Sequence, residues 1–148
     1  MALQGLETEN NEEKKVVTME EATTKRRPFA YWTINGEEHK AKLTTGMIEK
    51  LENKYKTSVM NLITADGIPP LSVMLTVVQA AITPWEHGTT IEKVERMYDS
   101  WVENDGGNQM DLYTDVIMPI CAVSGFFTAT QAESIMASIK RAATDQLI

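Results

Sequence analysis

Between Pro70 and Thr83 the chain reads PLSVMLTVVQAAIT, and Leu71, Val73, Met74, Leu75, Val77, Val78, Ala80, Ala81 and Ile82 leave almost no polar face on it. A stretch that is apolar all round belongs inside a domain, and this one falls well short of the ~20 apolar residues needed to cross a bilayer. It predicts a central core helix. Pro70 suits the first helical turn, where its missing N–H costs nothing, and Pro84 stands where helices commonly stop. The other apolar stretches each carry one stripe, as helices packing around a hub do.

Upstream of the hub, from Phe29 to Leu43, the pattern alternates: Phe29, Tyr31 and Thr33 share one face of a first run, and His39, Ala41 and Leu43 recur at period two on a second. Asn35-Gly36 between them supplies the positive φ angles of a tight hairpin turn. Two strands alone are marginal, so Phe29 or Tyr31, together with Leu43, is expected to rest on the helices. Thr44 or Thr45 then caps an amphipathic helix with Met47, Ile48, Leu51 and Tyr55 on its inner face, and Ser58 caps a short one through Ile63 that Asp66-Gly67 breaks.

Downstream, Thr89-x-x-Glu92 reads as a capping box for a helix whose stripe is Ile91, Val94, Met97, Tyr98, Trp101 and Val102, ended by Gly106-Gly107. A further helix runs from about Met110 to Ser124-Gly125, and Pro119 inside it should kink or split it. Thr130-x-x-Glu133 opens a terminal helix through about Ala143, with Ala132, Ile135, Met136 and Ile139 as its stripe. The expected fold is mainly α: a compact domain of five or six helices over 28–148, led by a β-hairpin. Residues 1–27 have mixed charge and no period, the composition of a flexible, disordered arm, and Lys25-Arg26-Arg27 read as a solvated linker.

A length of 148 residues fits one such domain. Charge changes the picture more, because the net −7 is concentrated in residues 86–115, where Glu86, Glu92, Glu95, Asp99, Glu103, Asp105, Asp111 and Asp115 face only Lys93 and Arg96. One acidic face and no basic stripe disfavour DNA or RNA as a partner. The lone Cys121 cannot form an intramolecular disulfide, and the residues after Met1 are polar rather than basic then apolar, so a reducing, cytoplasmic setting away from membranes is expected.

Candidate chemistry is sparse. His39 and His87 have no Cys or His near them in sequence, so no metal is expected, and Glu103 to Asp111 misses the ligand spacing of a calcium loop. Ser124-Gly125 is no nucleophile elbow, no phosphate loop exists, and the acids follow a solvated helix face; neither an enzyme nor a cofactor is expected. Trp101 belongs to the core, whereas Trp85, between Pro84 and Glu86, is expected to be partly exposed, as contact aromatics are.

The order of motifs resembles the tail assembly chaperones of tailed phages and prophages. The hairpin end Lys40-Ala-Lys42-Leu43-Thr44-Thr45 followed by Ile48-Glu49-x-Leu51-Glu52, the loop Glu86-His87-Gly88-Thr89-Thr90-Ile91-Glu92-x-Val94, and Ser124-Gly125-Phe126-Phe127 carry the likeness. It implies a small helical non-enzyme, acting in the host cytoplasm, that binds and solubilises the tape measure protein, helps recruit tail-tube subunits and leaves self-association open. The chain looks like the family's shorter form. A structural tail or neck subunit retained in the virion is the alternative. On this reading Trp85, Met110, Met118, Phe126 and Phe127 are the expected partner contacts, with the terminal helix completing an apolar groove and the acidic helix, at Glu95 and Asp99, setting orientation. The nine methionines suit a surface that repacks against varied apolar stripes, although filling gaps in a core is their commoner use.

Overall fold

The computed structural model describes residues 25–146, with side chains through Ile139, and the arm expected over 1–27 lies outside it except for its last three residues. Strands β1 (Ala30–Ile34) and β2 (Glu37–Ala41) pair antiparallel, Trp32 opposite His39. Asn35 at φ 52° and Gly36 at φ 79° make the tight turn expected of that dipeptide. Six helices follow. They are α1 (Thr45–Tyr55), α2 (Val59–Thr64), α3 (Leu71–Ile82), α4 (Ile91–Asp105), α5 over 109–123, and α6 (Ala129–Gln146).

The hub is where the apolar run placed it. Met74, Leu75, Val77, Val78, Ala81 and Ile82 of α3 are buried, and α1, β2, α4 and α5 all pack on that helix. The chain leaving the hairpin is fastened at two points: the Lys42 N–H donates to the Ala81 carbonyl at 3.0 Å, and the Leu43 N–H donates to Ser124 Oγ at 2.9 Å. Thr44 and Ser58 cap α1 and α2 as read from sequence, each accepting an N–H three residues on.

The face of β1 is opposite to the one expected. Ala30, Trp32 and Ile34 are buried, Phe29 is half-buried, and Tyr31 is exposed. Both faces of that strand carry aromatic residues, so alternation alone leaves the choice open. The larger apolar sum of the Ala30, Trp32 and Ile34 face, and the edge-to-face seat of Trp32 on Trp101 with centroids 5.7 Å apart, decide it.

Both expected capping boxes shift register. Thr90, not Thr89, caps α4 by accepting the Lys93 N–H at 3.1 Å, because the Thr89 hydroxyl donates to the Glu86 carbonyl at 2.6 Å and closes the preceding turn. At α6 the reciprocal pair is Thr128 with Gln131, whose Oε1 accepts the Thr128 N–H at 3.0 Å while Thr128 Oγ1 accepts the Gln131 N–H at 3.1 Å. Thr130 therefore lies inside the first turn, and Glu133 is free to pair elsewhere.

The helix continues through Pro119, with a change of hydrogen-bond register just ahead of it. Helix α5 begins with Gln109–Asp111, widens into a π-helical stretch at Leu112–Ile117 and returns to α geometry at Met118–Val123. The Met118 N–H reaches back five residues to the Tyr113 carbonyl, so the ladder is already in a wider register where the proline ring enters and lacks a donor. Burial of Leu112, Val116, Ile117, Pro119 and Ile120 holds the helix together through that irregularity.

Cys121 is fully buried in the same helix, and burial pushes its thiol up to about 12. Alkylation by iodoacetamide at pH 8 is therefore expected only through unfolding. The rate should rise by orders of magnitude across the urea transition, and fast labelling of the native chain would refute the placement.

Candidate partner-binding surface

Helix α6 packs along α5 through Ala132, which is buried, and leaves a groove beside that contact. Thr114 and Met118, one turn apart on α5, form one wall, and Ser134, Ile135, Ser138 and Ile139 of α6 form the other, around a volume of about 280 Å³. The apolar part is Met118, Ile135 and Ile139, all half-buried, while Ser134 and Ser138 are short and exposed and keep the rim low. An open apolar trough lined by an adaptable methionine suits the stripe of a partner helix.

The residues before β1 brace this corner. The Arg26 guanidinium donates to the Ala122 carbonyl at 3.2 Å, and Arg27 grips both Glu133 oxygens, at 2.6 and 3.0 Å. These two arginines are thus part of the fold rather than a solvated linker. Hydrogen bonding by Arg27 holds the Glu133 carboxyl below the usual carboxylate range and raises the Arg27 guanidinium in turn. Both side chains are over two-fifths exposed, so solvent screening leaves the pair a contribution of about 0–1 kcal/mol. That contribution is present above the ordinary Glu value and is lost as pH falls through the lowered one. Its use is to hold α6 in place rather than to stabilise the domain.

The expected contact residues are dispersed. Of the expected lining of Met110, Met118, Phe126, Phe127 and the terminal helix, Met118 and α6 meet in this groove, whereas Phe126 and Phe127 are half-buried against the core and do not line it. Their position at the α5–α6 turn explains this, since Gly125 at φ 95° turns the chain back over the core. Met110 is the most exposed large apolar side chain described, at 61% in the first turn of α5. Trp85 is exposed at one edge, donates Nε1–H to the Lys42 carbonyl at 3.2 Å and takes Phe29 edge-on at 4.8 Å. Glu95 and Asp99 are exposed on α4. The groove residues Thr114, Ser134 and Ser138 escaped sequence reading because no stripe marks a small hydroxyl residue as a wall.

His39, Glu86, Asp105 and Asp111 are engaged in the fold. His39 Nδ1 meets Glu86 Oε1 at 2.7 Å, joining the hairpin to the α3–α4 turn. Asp105 Oδ2 accepts the Asn35 N–H at 2.9 Å, and Asn108 caps α5 by accepting the Asp111 N–H at 2.9 Å. Among the described residues no three His, Cys, Asp or Glu side chains gather where an ion could be held, and no helix is long and apolar enough to cross a membrane. No family model, curated protein or solved structure matches this chain.

Proposed function

We propose that this chain is a tail assembly chaperone of a tailed phage or prophage, which binds the tape measure protein, keeps it soluble and helps bring tail-tube subunits to it. One feature of the sequence carries the reading: the hairpin end Lys40 to Thr45, the loop Glu86 to Val94, and Ser124 to Phe127 resemble, in their order and spacing, the motifs of that family. The Met118, Ile135 and Ile139 groove supports it as a seat for the apolar stripe of a long helix. The roles of His39, Glu86, Asp105 and Asp111 as ties within the fold favour a binding protein over an enzyme.

Co-expression with the tape measure protein of the same genome tests this. The wild-type chain should keep that protein soluble and co-purify with it in many copies. Ser134→Arg with Ser138→Arg, both on exposed positions, should block the groove, lower the affinity by at least about tenfold and leave the melting temperature unchanged. An insoluble tape measure protein beside a well-folded wild-type chain would sink the proposal. Stoichiometric presence of the chain in purified virions, by mass spectrometry, would favour the structural tail or neck subunit instead.

A further inference from the structure

A second apolar recess lies on other elements, between the starts of α3 and α4. Leu71 and Leu75 of α3 and Ile91 of α4 line it, with Ser72, Thr76 and Glu95 around the rim, and it encloses about 320 Å³. That reaches the lower end of the size range of ligand clefts. Two of its three polar side chains, Thr76 and Glu95, can act as acceptors. The Thr76 hydroxyl gives its hydrogen to the Ser72 carbonyl at 2.8 Å, so toward the cleft it offers lone pairs, and the Glu95 carboxylate can only accept. The ion pairs among the described residues engage Glu86 and Glu133 and bring no cation to Glu95.

Charge extends from that rim along α4. Glu92 stands three residues before Glu95, and Asp99 four after it, the spacings that put side chains on one helix face about 5–6 Å apart. Glu92, Glu95, Asp99 and Glu103 are all exposed, and the bases of that stretch are Arg96 and Lys93, whose Nζ lies 4.0 Å from Glu86. An apolar recess bordered by an acidic row calls for a ligand with apolar side chains next to cations. A polyanion such as nucleic acid would be repelled.

We propose that the α3–α4 cleft docks a cationic amphipathic helix of a partner protein. Apolar side chains of that helix seat on Leu71, Leu75 and Ile91, a Lys or Arg one turn away pairs with Glu95, and further bases face Glu92 and Asp99. Apolar burial holds the complex, and the acidic row fixes the direction of the helix and speeds its arrival. This site is independent of the groove between α5 and α6, and its occupant is recognised by charge, which none of the described residues lining that groove carries.

The probe is a fluorescein-labelled synthetic helical peptide with leucines at i, i+4 and i+7 and lysines flanking them, titrated with the full chain and followed by anisotropy. Two control peptides replace the lysines by glutamates or the leucines by serines. The Leu/Lys peptide should bind at least about tenfold tighter than either control and weaken as salt rises. Glu95→Lys and Ser72→Trp, at exposed positions, should each weaken it by at least about tenfold with unchanged melting temperature, whereas Ser134→Arg with Ser138→Arg should have no effect. Equal binding of the Ser/Lys peptide would mean that the acids act alone, and equal binding of the Leu/Glu peptide would remove the role of charge; either overturns the proposal. So would indifference to both cleft substitutions. A wild-type dimer in sedimentation that Ser72→Trp converts to monomer would seat a second copy there and overturn it as well.

Discussion

Val77→Asp should leave the chain without a cooperative unfolding transition at 25 °C, read by circular dichroism and urea titration. Val77 has no exposed surface and sits in the middle of α3, the helix on which α1, β2, α4 and α5 pack. The buried polar side chains of the described core are His39 and Thr89, and both are committed, to Glu86 and to the Glu86 carbonyl. An aspartate at 77 would therefore be buried without a cation, the one unpaired donor among the described buried side chains being Trp32 Nε1 on β1, or protonated and still short of partners. Either way the cost is several kcal/mol, set against a total of about 5–15 kcal/mol for a domain of this kind. A wild-type melting curve for this variant would be incompatible with α3 as the centre of the core.

That hub was legible because nothing competes with a run apolar on every side. Pro70 and Pro84 bracket it, and the helix starts directly after the first and ends two residues before the second. The hairpin was legible for a local reason too, since Asn35-Gly36 carries the backbone conformation of its own turn. Features set by distant residues were not. The inward face of β1 is decided by Trp101, almost seventy residues later, and the π-helical register ahead of Pro119 leaves no mark in the local pattern. The capping registers failed for a subtler reason: Thr89 and Thr90, or Thr128 and Thr130, are alternatives that sequence ranks alike, and a hydrogen bond to Glu86 or Gln131 chooses between them. Of the candidate contacts, Met118 lines the groove beside Thr114, while Phe126 and Phe127 pack against the core, a placement their apolarity suits equally.

Trp101→Ala should cost about 3–5 kcal/mol, and the size of that loss can be traced through a neighbour that sequence marks only as a helix stop. Trp101 is 9% exposed, stacks edge-on with Trp32 at 5.7 Å and leans on Tyr98 at 6.1 Å. Its carbonyl accepts the N–H of Gly106, at φ 72°, and that of Gly107 at 3.1 Å, so the helix ends by folding its own last turn over the indole. A Cβ on Gly107 would overlap the Trp101 ring, whereas one on Gly106 would meet nothing and suffer only from its positive φ. Gly107→Ala is therefore expected to cost about 1–3 kcal/mol by overpacking. In the Trp101→Ala background the same alanine enters the space the indole vacated, and its cost should fall to within about 0.5 kcal/mol. Urea denaturation of the wild type, the two single variants and the double variant measures the difference, a coupling of about 1 kcal/mol or more. Equal costs of Gly107→Ala in the two backgrounds would show that the glycine is required for its backbone and not for the tryptophan.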